Sequence, residues 1–239
     1  MFEVELVPAA SPSEERMLVI DEAGRWESIR LHEYARVYAI PGLYEEVVQK
    51  RLRCQSPEQI ASLLVRAAAE DGVSPSDLRV LDLAAGNGVS GACLREAGIE
   101  LLVGLDREEA ARAAAARDRG QLYADYRVGD IATEQIVPAL VAGYDLNALV
   151  CVGALGRTHI PVEVFDRAQQ AFPVGAWLAA TYFDDEPEVS AYFERQEAAG
   201  RLQVVADEHF QQRLTMSGTP LFNTAIIARI VSADDETLT

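Results

Sequence analysis

Three carboxylates and a glycine turn carry most of the chemistry that can be read from the chain. Asp82 stands in a short apolar run, Val80 to Leu83, that leads into Ala84-Ala85-Gly86-Asn87-Gly88-Val89-Ser90-Gly91. Glycine suits such a turn because it takes positive φ and lets a ligand approach the backbone. The helix expected after it points free N–H groups at whatever sits there. Asp106 ends a second apolar run in Gly104-Leu105-Asp106-Arg107, and Asp130 ends a third in Val128-Gly129-Asp130-Ile131. As a bare pattern, Gly86 to Gly91 is a GxGxxG, which fits a dinucleotide site. Asp82 argues against that, because it would stand beside a pyrophosphate and repel it; a ligand with a cationic centre and an ammonium favours a carboxylate there. Asp106 is placed to accept hydrogen bonds from both hydroxyls of a ribose. Asp130, with apolar Ile131 beside it, suits an adenine amino group and ring face. Each of these acids taken alone also fits a helix N-cap or a loop.

The elements that must position these residues alternate. Strands are expected at Arg79–Leu83, Glu100–Leu105, Tyr123–Val128, Asp145–Val152 and Ala176–Phe183, with helices at Val89–Ala97, Glu108–Arg117, Thr133–Val141 and Val162–Ala171 between them. Short apolar strands separated by helices of this length imply a parallel sheet covered on both faces. After a polar helix around Val189–Ala198 the rhythm breaks. The extended stretches Leu202–Leu214 and Thr224–Val231 are joined by a loop too short for a crossover helix, so they should pair antiparallel. Upstream, Ser56-Pro57-Glu58-Gln59 reads as a helix start with Ser56 as N-cap, Ile60, Leu63, Leu64, Ala67 and Ala68 supply the apolar face, and Gly72 stops the helix. From His32 to Arg53 the pattern is helical, interrupted at Pro41-Gly42, and rich in Tyr34, Tyr38, Tyr44, Arg36, Lys50, Arg51 and Arg53. This stretch fits a lid, and fits equally a pair of helices packing the sheet through their tyrosines. In the first 25 residues only Met17–Ile20 reads as a strand, with Asp21-Glu22-Ala23-Gly24 as its turn. The division expected is an N-terminal extension and helical lid over 1–55 and a catalytic domain over 56–239.

Composition narrows the partners. The 239 residues, 49% of them hydrophobic, suffice for one sizeable core. A net charge of −17, from 21 basic and 38 acidic residues, would repel a phosphate backbone, so no nucleic-acid partner is expected. Nearly all the basic residues are arginine, a skew that fits a GC-rich, bacterial genome. Cys54, Cys93 and Cys151 are odd in number and form no CxxC, which indicates neither a disulfide framework nor a metal site. The start Met1-Phe2-Glu3-Val4-Glu5 lacks a signal-peptide pattern, and no run approaches the roughly 20 apolar residues of a membrane span. A cytoplasmic protein without a membrane partner is expected.

Val80-Leu81-Asp82-Leu83-Ala84-Ala85-Gly86-Asn87-Gly88, followed by Asp106 and Asp130 at successive strand ends, resembles the class I S-adenosylmethionine-dependent methyltransferases. The motif departs from the family's pattern at Ala84, which replaces the first glycine. The resemblance spans about Tyr34 to Val231 and implies an α/β, Rossmann-like seven-stranded sheet of order 3-2-1-4-5-7-6, with strand 7 antiparallel and helices on both faces. His32-Glu33-Tyr34-Ala35-Arg36-Val37-Tyr38 looks like the entry helix of small-molecule members, whose tyrosine at the place of Tyr38 faces the cofactor; Ala39 stands where an Asp often follows. Val150-Cys151-Val152-Gly153-Ala154-Leu155 with His159-Ile160-Pro161 is similar to the segment after strand four in a branch related to the Williams-Beuren region methyltransferase-like proteins. The cofactor implied is S-adenosylmethionine, leaving as S-adenosylhomocysteine. Its contacts would come from Tyr38, Asp82, Ala84, Gly86, Asn87, Gly88, Asp106, Arg107, Asp130, Ile131, Val152 and Gly153, with no metal.

The reaction implied is in-line methyl transfer to O, N or S of a small molecule, by alignment and exclusion of water. An acceptor that starts protonated benefits from a base, and His159, just beyond strand four, is the candidate; a packed loop histidine is the plainer reading. Tyr182, Phe183, Asp184 and Asp185 follow strand five on the other rim. His32 and His209 have no partner spacing. The Asp-Pro-Pro-Tyr-like signature of nucleobase methylators is absent after strand four, and the cysteines are too dispersed for arsenic chemistry. Two other readings stay open: a non-catalytic S-adenosylmethionine-binding sensor or scaffold, and an NAD(P)-linked oxidoreductase resting on GxGxxG alone. A homodimer is compatible with the sequence.

Overall fold

The computed structural model describes residues 2–20, 23–133, 135–156 and 159–232. Among the described residues ten strands form two sheets. β1 (Glu3–Val7), β2 (Arg16–Ile20) and β3 (Trp26–Arg30) make an antiparallel three-stranded sheet in that order. The larger sheet holds β4 (Arg79–Leu83), β5 (Leu101–Asp106), β6 (Asp125–Val128), β7 (Ala148–Cys151), β8 (Trp177–Phe183), β9 (Leu202–Leu214) and β10 (Pro220–Ile230). Its order is β6-β5-β4-β7-β8-β10-β9, with β10 antiparallel to both neighbours and the rest of the pairs parallel. Renumbered from β4, this is the expected 3-2-1-4-5-7-6.

Strand alternation builds two core layers. Leu81, Leu83, Val103, Leu105, Leu149, Cys151, Leu178 and Ala180 face one side, against α5 (Ile136–Tyr144), α6 (Val162–Gln169) and α7 (Pro187–Ala198). Val80, Leu102, Ala148, Val150, Trp177 and Ala179 face the other, against α2 (Ser56–Glu70) and α3 (Val89–Glu96). A side chain changes face at every residue of a strand, so each central strand is apolar on both faces to serve both layers, with Asp82 the buried exception in β4.

The N-terminal region is more structured than its sequence suggests. α1 (Tyr34–Ala39) is followed, beyond the Pro41-Gly42 break, by a π-helical turn at Glu45–Arg51. These pack with the small sheet around Met17, Ile29, Val37, Leu43, Val47 and Leu52. β1 and β3 escape sequence reading because each is short and mostly uncovered, with charged residues interspersed and Trp26 facing outward. α4 (Glu109–Arg119) receives α1 through Ala111, Ala114 and Tyr38. Backbone bonds from Gln55 N to Gln212 O (2.8 Å) and from Leu214 N to Leu52 O (2.7 Å) then tie this region to β9.

Several boundaries differ from expectation. The N-cap of α2 is Gln55, so Ser56 is the first helical residue and its hydroxyl makes no cap bond. α5 starts three residues late, at Ile136, because Asp130 spends its carboxylate on the turn through Ala132 N (2.9 Å). Asp21 and Glu22 of the expected turn, and Glu134 of the expected helix, lie outside the described residues. Among the described residues no helix is long and apolar enough to cross a membrane.

Candidate active site

A cavity of about 420 Å³ opens at the C-terminal ends of β4, β5, β6 and β7, beneath the N-terminal helices. That is where open α/β sheets present ligands, because the strand order reverses between β4 and β7 and leaves a crevice. The volume lies within the roughly 300–1,000 Å³ typical of small-molecule sites.

The turn after β4 forms its floor. Ala84, Gly86 and Gly88 all have positive φ, at 58°, 55° and 82°. Ala84 therefore holds a conformation that disfavours a side chain, at the motif position where glycine is usual. A Cβ on Gly86 would lie 2.6 Å from the Tyr38 hydroxyl, so this glycine is what lets Tyr38 reach the turn. Gly86 N–H donates to Asp106 Oδ2 (2.9 Å), Glu108 N–H donates to Asp106 Oδ1 (2.9 Å), and Tyr126 Oη donates to Gly86 O (2.6 Å). Burial pushes the Asp106 carboxyl upward, against the two backbone donors that pull it down. Asn87 Nδ2 donates to Glu45 Oε1 (2.7 Å), which also takes Arg119 Nη2 (2.8 Å), and Arg117 reaches Tyr38 O (3.2 Å). The N-terminal helices are thus bonded directly to the turn after β4 and to α4.

Of the residues singled out from sequence, Tyr38, Ala84, Gly86, Asn87, Asp106, Arg107, Asp130, Ile131, Val152, Gly153 and His159 all line this cavity. Asp82 and Gly88 do not. Asp82 is 1% exposed and accepts a hydrogen bond from Tyr123 Oη (2.7 Å). Burial pushes its carboxyl up to about 7, with the Tyr123 and Gly91 donors opposing. Gly88 faces Leu122, Tyr123 and Arg119, each 3.2–3.3 Å from where its Cβ would be. Gly91 packs on the same ring: a Cβ there would lie 2.4 Å from Tyr123 Oη.

Opposite the turn, aromatic rings line the side formed by the N-terminal helices. Tyr34 stacks on Tyr38 (centroids 5.8 Å), Tyr38 lies 5.3 Å from Tyr44, and the His159 ring lies 5.7 Å from Tyr34 and 5.9 Å from His32. Burial and Arg107 lower the His159 pKa, with Glu186 opposing. Burial first, then His159 and Arg213, lowers His32 to about 4. Both imidazoles are therefore neutral near pH 7. His32 is a cavity residue that its isolated place in the sequence concealed. Phe183 also lines the cavity, while Tyr182 turns into the core against Phe193 and Asp184 bonds His209 (2.6 Å). Ser56, Gln212 and Arg213 complete the wall. Nothing in their sequence spacing marks them, since they meet only where β9 runs beside the start of α2.

The sequence matches no family model and no curated protein. Solved structures do match in fold. An S-adenosylmethionine-dependent methyltransferase from Anabaena variabilis aligns over 84% of this chain and 96% of its own, with a TM-score of 0.55 at 13% identity. Magnesium protoporphyrin IX methyltransferase from Synechocystis, solved with S-adenosylmethionine, aligns over 73% and 79% with a TM-score of 0.51 at 15% identity. A putative RNA methyltransferase from Pyrococcus horikoshii aligns over 72% and 83%, with a TM-score of 0.52 at 14% identity. The chain has the α/β Rossmann-like fold of the S-adenosylmethionine-dependent methyltransferases.

Proposed function

We propose that this protein is an S-adenosylmethionine-dependent methyltransferase acting on a small molecule. The observation that carries it is the cavity itself: a positive-φ glycine turn with Asp106 and Asp130 on the next two strand ends, all on one wall. Gly86 brings the Tyr38 hydroxyl onto the turn where an amino-acid tail would lie, Asp106 and Asp130 offer acceptors to ribose and adenine, and Ile131 and Val152 supply apolar faces. Asp82 acts from behind the turn, adding negative potential through the loop it supports. When bound, the cofactor supplies an electrophilic methyl group.

The remaining work belongs to the chain. The helical stretch from Leu31 to Cys54 closes over the crevice and excludes water, and Tyr34 and Tyr38 orient what lies beneath them. His159, neutral and at the rim after β7, takes the acceptor's proton where the accepting atom carries one. A small acceptor is favoured by the half-enclosed cavity and by the −17 charge, which opposes a nucleic-acid backbone. The short segment after β7 supports kinship with the Williams-Beuren-like branch.

Calorimetric titration with S-adenosylhomocysteine and with NADH tests the reading. Heat with S-adenosylhomocysteine alone is expected, and binding of NADH alone would sink it. Release of S-adenosylhomocysteine from S-adenosylmethionine in the presence of metabolite extract then separates an enzyme from a sensor.

A further inference from the structure

The cavity is chemically lopsided. Its acids, Asp106, Glu108 and Asp130, come from the ends of β5 and β6 at one edge of the sheet, while Ser56, Gln212 and Arg213 come from the start of α2 and from β9 at the other edge. The first set suits a cationic cofactor. The second set is built of donors and is unexplained by it.

Each member of the second set is buried and has hydrogen-bonding capacity left over. Arg213 is 5% exposed, and its contacts among the described residues, to Leu214 O (2.8 Å) and Glu15 Oε2 (3.0 Å), both use Nη1. The donors on Nε and Nη2 remain. Ser56 is 2% exposed and opens a 15-residue helix; apart from the Cys54 thiol beside it, its Oγ has no hydrogen-bond partner. Gln212 is 7% exposed; its Nε2 lies 3.5 Å from Cys54 Sγ, and its Oε1 has no partner. Because amide O and N are interchangeable by a flip, the turned-over amide would accept from the Cys54 thiol and present its N–H₂ to the cavity. Buried polar atoms without partners call for a ligand or a water, and a helix N-terminus beside an arginine prefers an anion.

We infer that the methyl acceptor carries a carboxylate, held by Arg213, Ser56 and Gln212 at the N-terminus of α2, with a planar body passing between His32, Tyr34 and Phe183 toward His159. This rests on the methyltransferase reading of the same cavity. The planar guanidinium fork matches a carboxylate. Glu15, 1% exposed, already sets one negative charge against Arg213, so a monoanion can share the remaining donors where a dianionic phosphate would be under-compensated. Arg213 and Glu15 also connect the lid to β9, so an acceptor bound there bridges the two walls it must lie between.

The test is calorimetry on protein preloaded with S-adenosylhomocysteine, using 4-hydroxybenzoate, anthranilate and indole-3-acetate, each against its primary amide. At least one acid should bind tenfold or more tightly than its amide. Arg213→Gln should remove that preference, and Ser56→Ala, which leaves the Glu15 pair intact, should reduce it several-fold, with S-adenosylhomocysteine affinity within twofold of wild type in Ser56→Ala. No acid preferred over its amide, or a preference undiminished in both Arg213→Gln and Ser56→Ala, overturns the carboxylate subsite. Failure of S-adenosylhomocysteine itself to bind overturns the methyltransferase reading instead.

Discussion

Replacing Asp82 by asparagine separates the stability and the binding sides of this site in one variant. Asp82 is fully enclosed, and burial pushes its carboxyl from 3.8 up to about 7. Between those two values the folded protein holds a proton that the unfolded chain has released, so stability falls as pH rises through the window and stays at the lower level above it. A rise of that size, at about 1.36 kcal/mol per pH unit, amounts to about 4 kcal/mol between pH 4 and pH 8. Asparagine keeps the size and can still accept the Tyr123 hydroxyl, but it has no proton to lose. Any cost from presenting an amide N–H₂ to a backbone donor is the same at every pH and cancels from the slope. Urea unfolding of both proteins at intervals from pH 4 to pH 8 should therefore show the Asp82→Asn variant gaining on wild type by about 4 kcal/mol across the range. Parallel curves would refute the reasoning, since they would mean that Asp82 is ionised at no cost in the folded state. The same variant should bind S-adenosylhomocysteine at least tenfold more weakly at pH 8, where the charge it removes is present.

Ala84→Gly should raise stability by about 1 kcal/mol, read as a shifted urea midpoint, because the left-handed conformation at φ 58° costs an alanine more than a glycine. Gly91→Ala should cost about 1–3 kcal/mol in unfolding measurements and also weaken S-adenosylhomocysteine binding, since its Cβ would displace the Tyr123 ring that bonds Asp82. Once an acceptor is known, His159→Ala should lower kcat on the order of 10²-fold or more with cofactor affinity unchanged. The acid limb of the wild-type pH–rate profile should then fall below the ordinary histidine value of about 6.5, because burial and Arg107 hold the ring neutral to lower pH.

Patterning along the chain makes the sheet and one wall of the cavity legible without coordinates. Central strands such as Val80–Leu83 and Leu149–Cys151 must be apolar on both faces, and that continuous pattern is visible without coordinates. The short loop between Leu214 and Pro220 forced β9 and β10 to be antiparallel, and in this fold the strand ends collect Asp106 and Asp130 wherever the helices pack. Asp82 shows the limit. Its place in the motif was legible, but its distance from the cavity was not, because Tyr123 arrives from the approach to β6 and occupies the space beside it. Tertiary structure alone decided the other wall. His32, Ser56, Gln212 and Arg213 are far apart in the chain and carry no shared spacing. They become neighbours only because the N-terminal region packs on β9, through the Glu15–Arg213 pair and the backbone bonds of Leu52 and Gln55. Periodicity reports how a residue faces its own element, and says nothing about which distant element covers it.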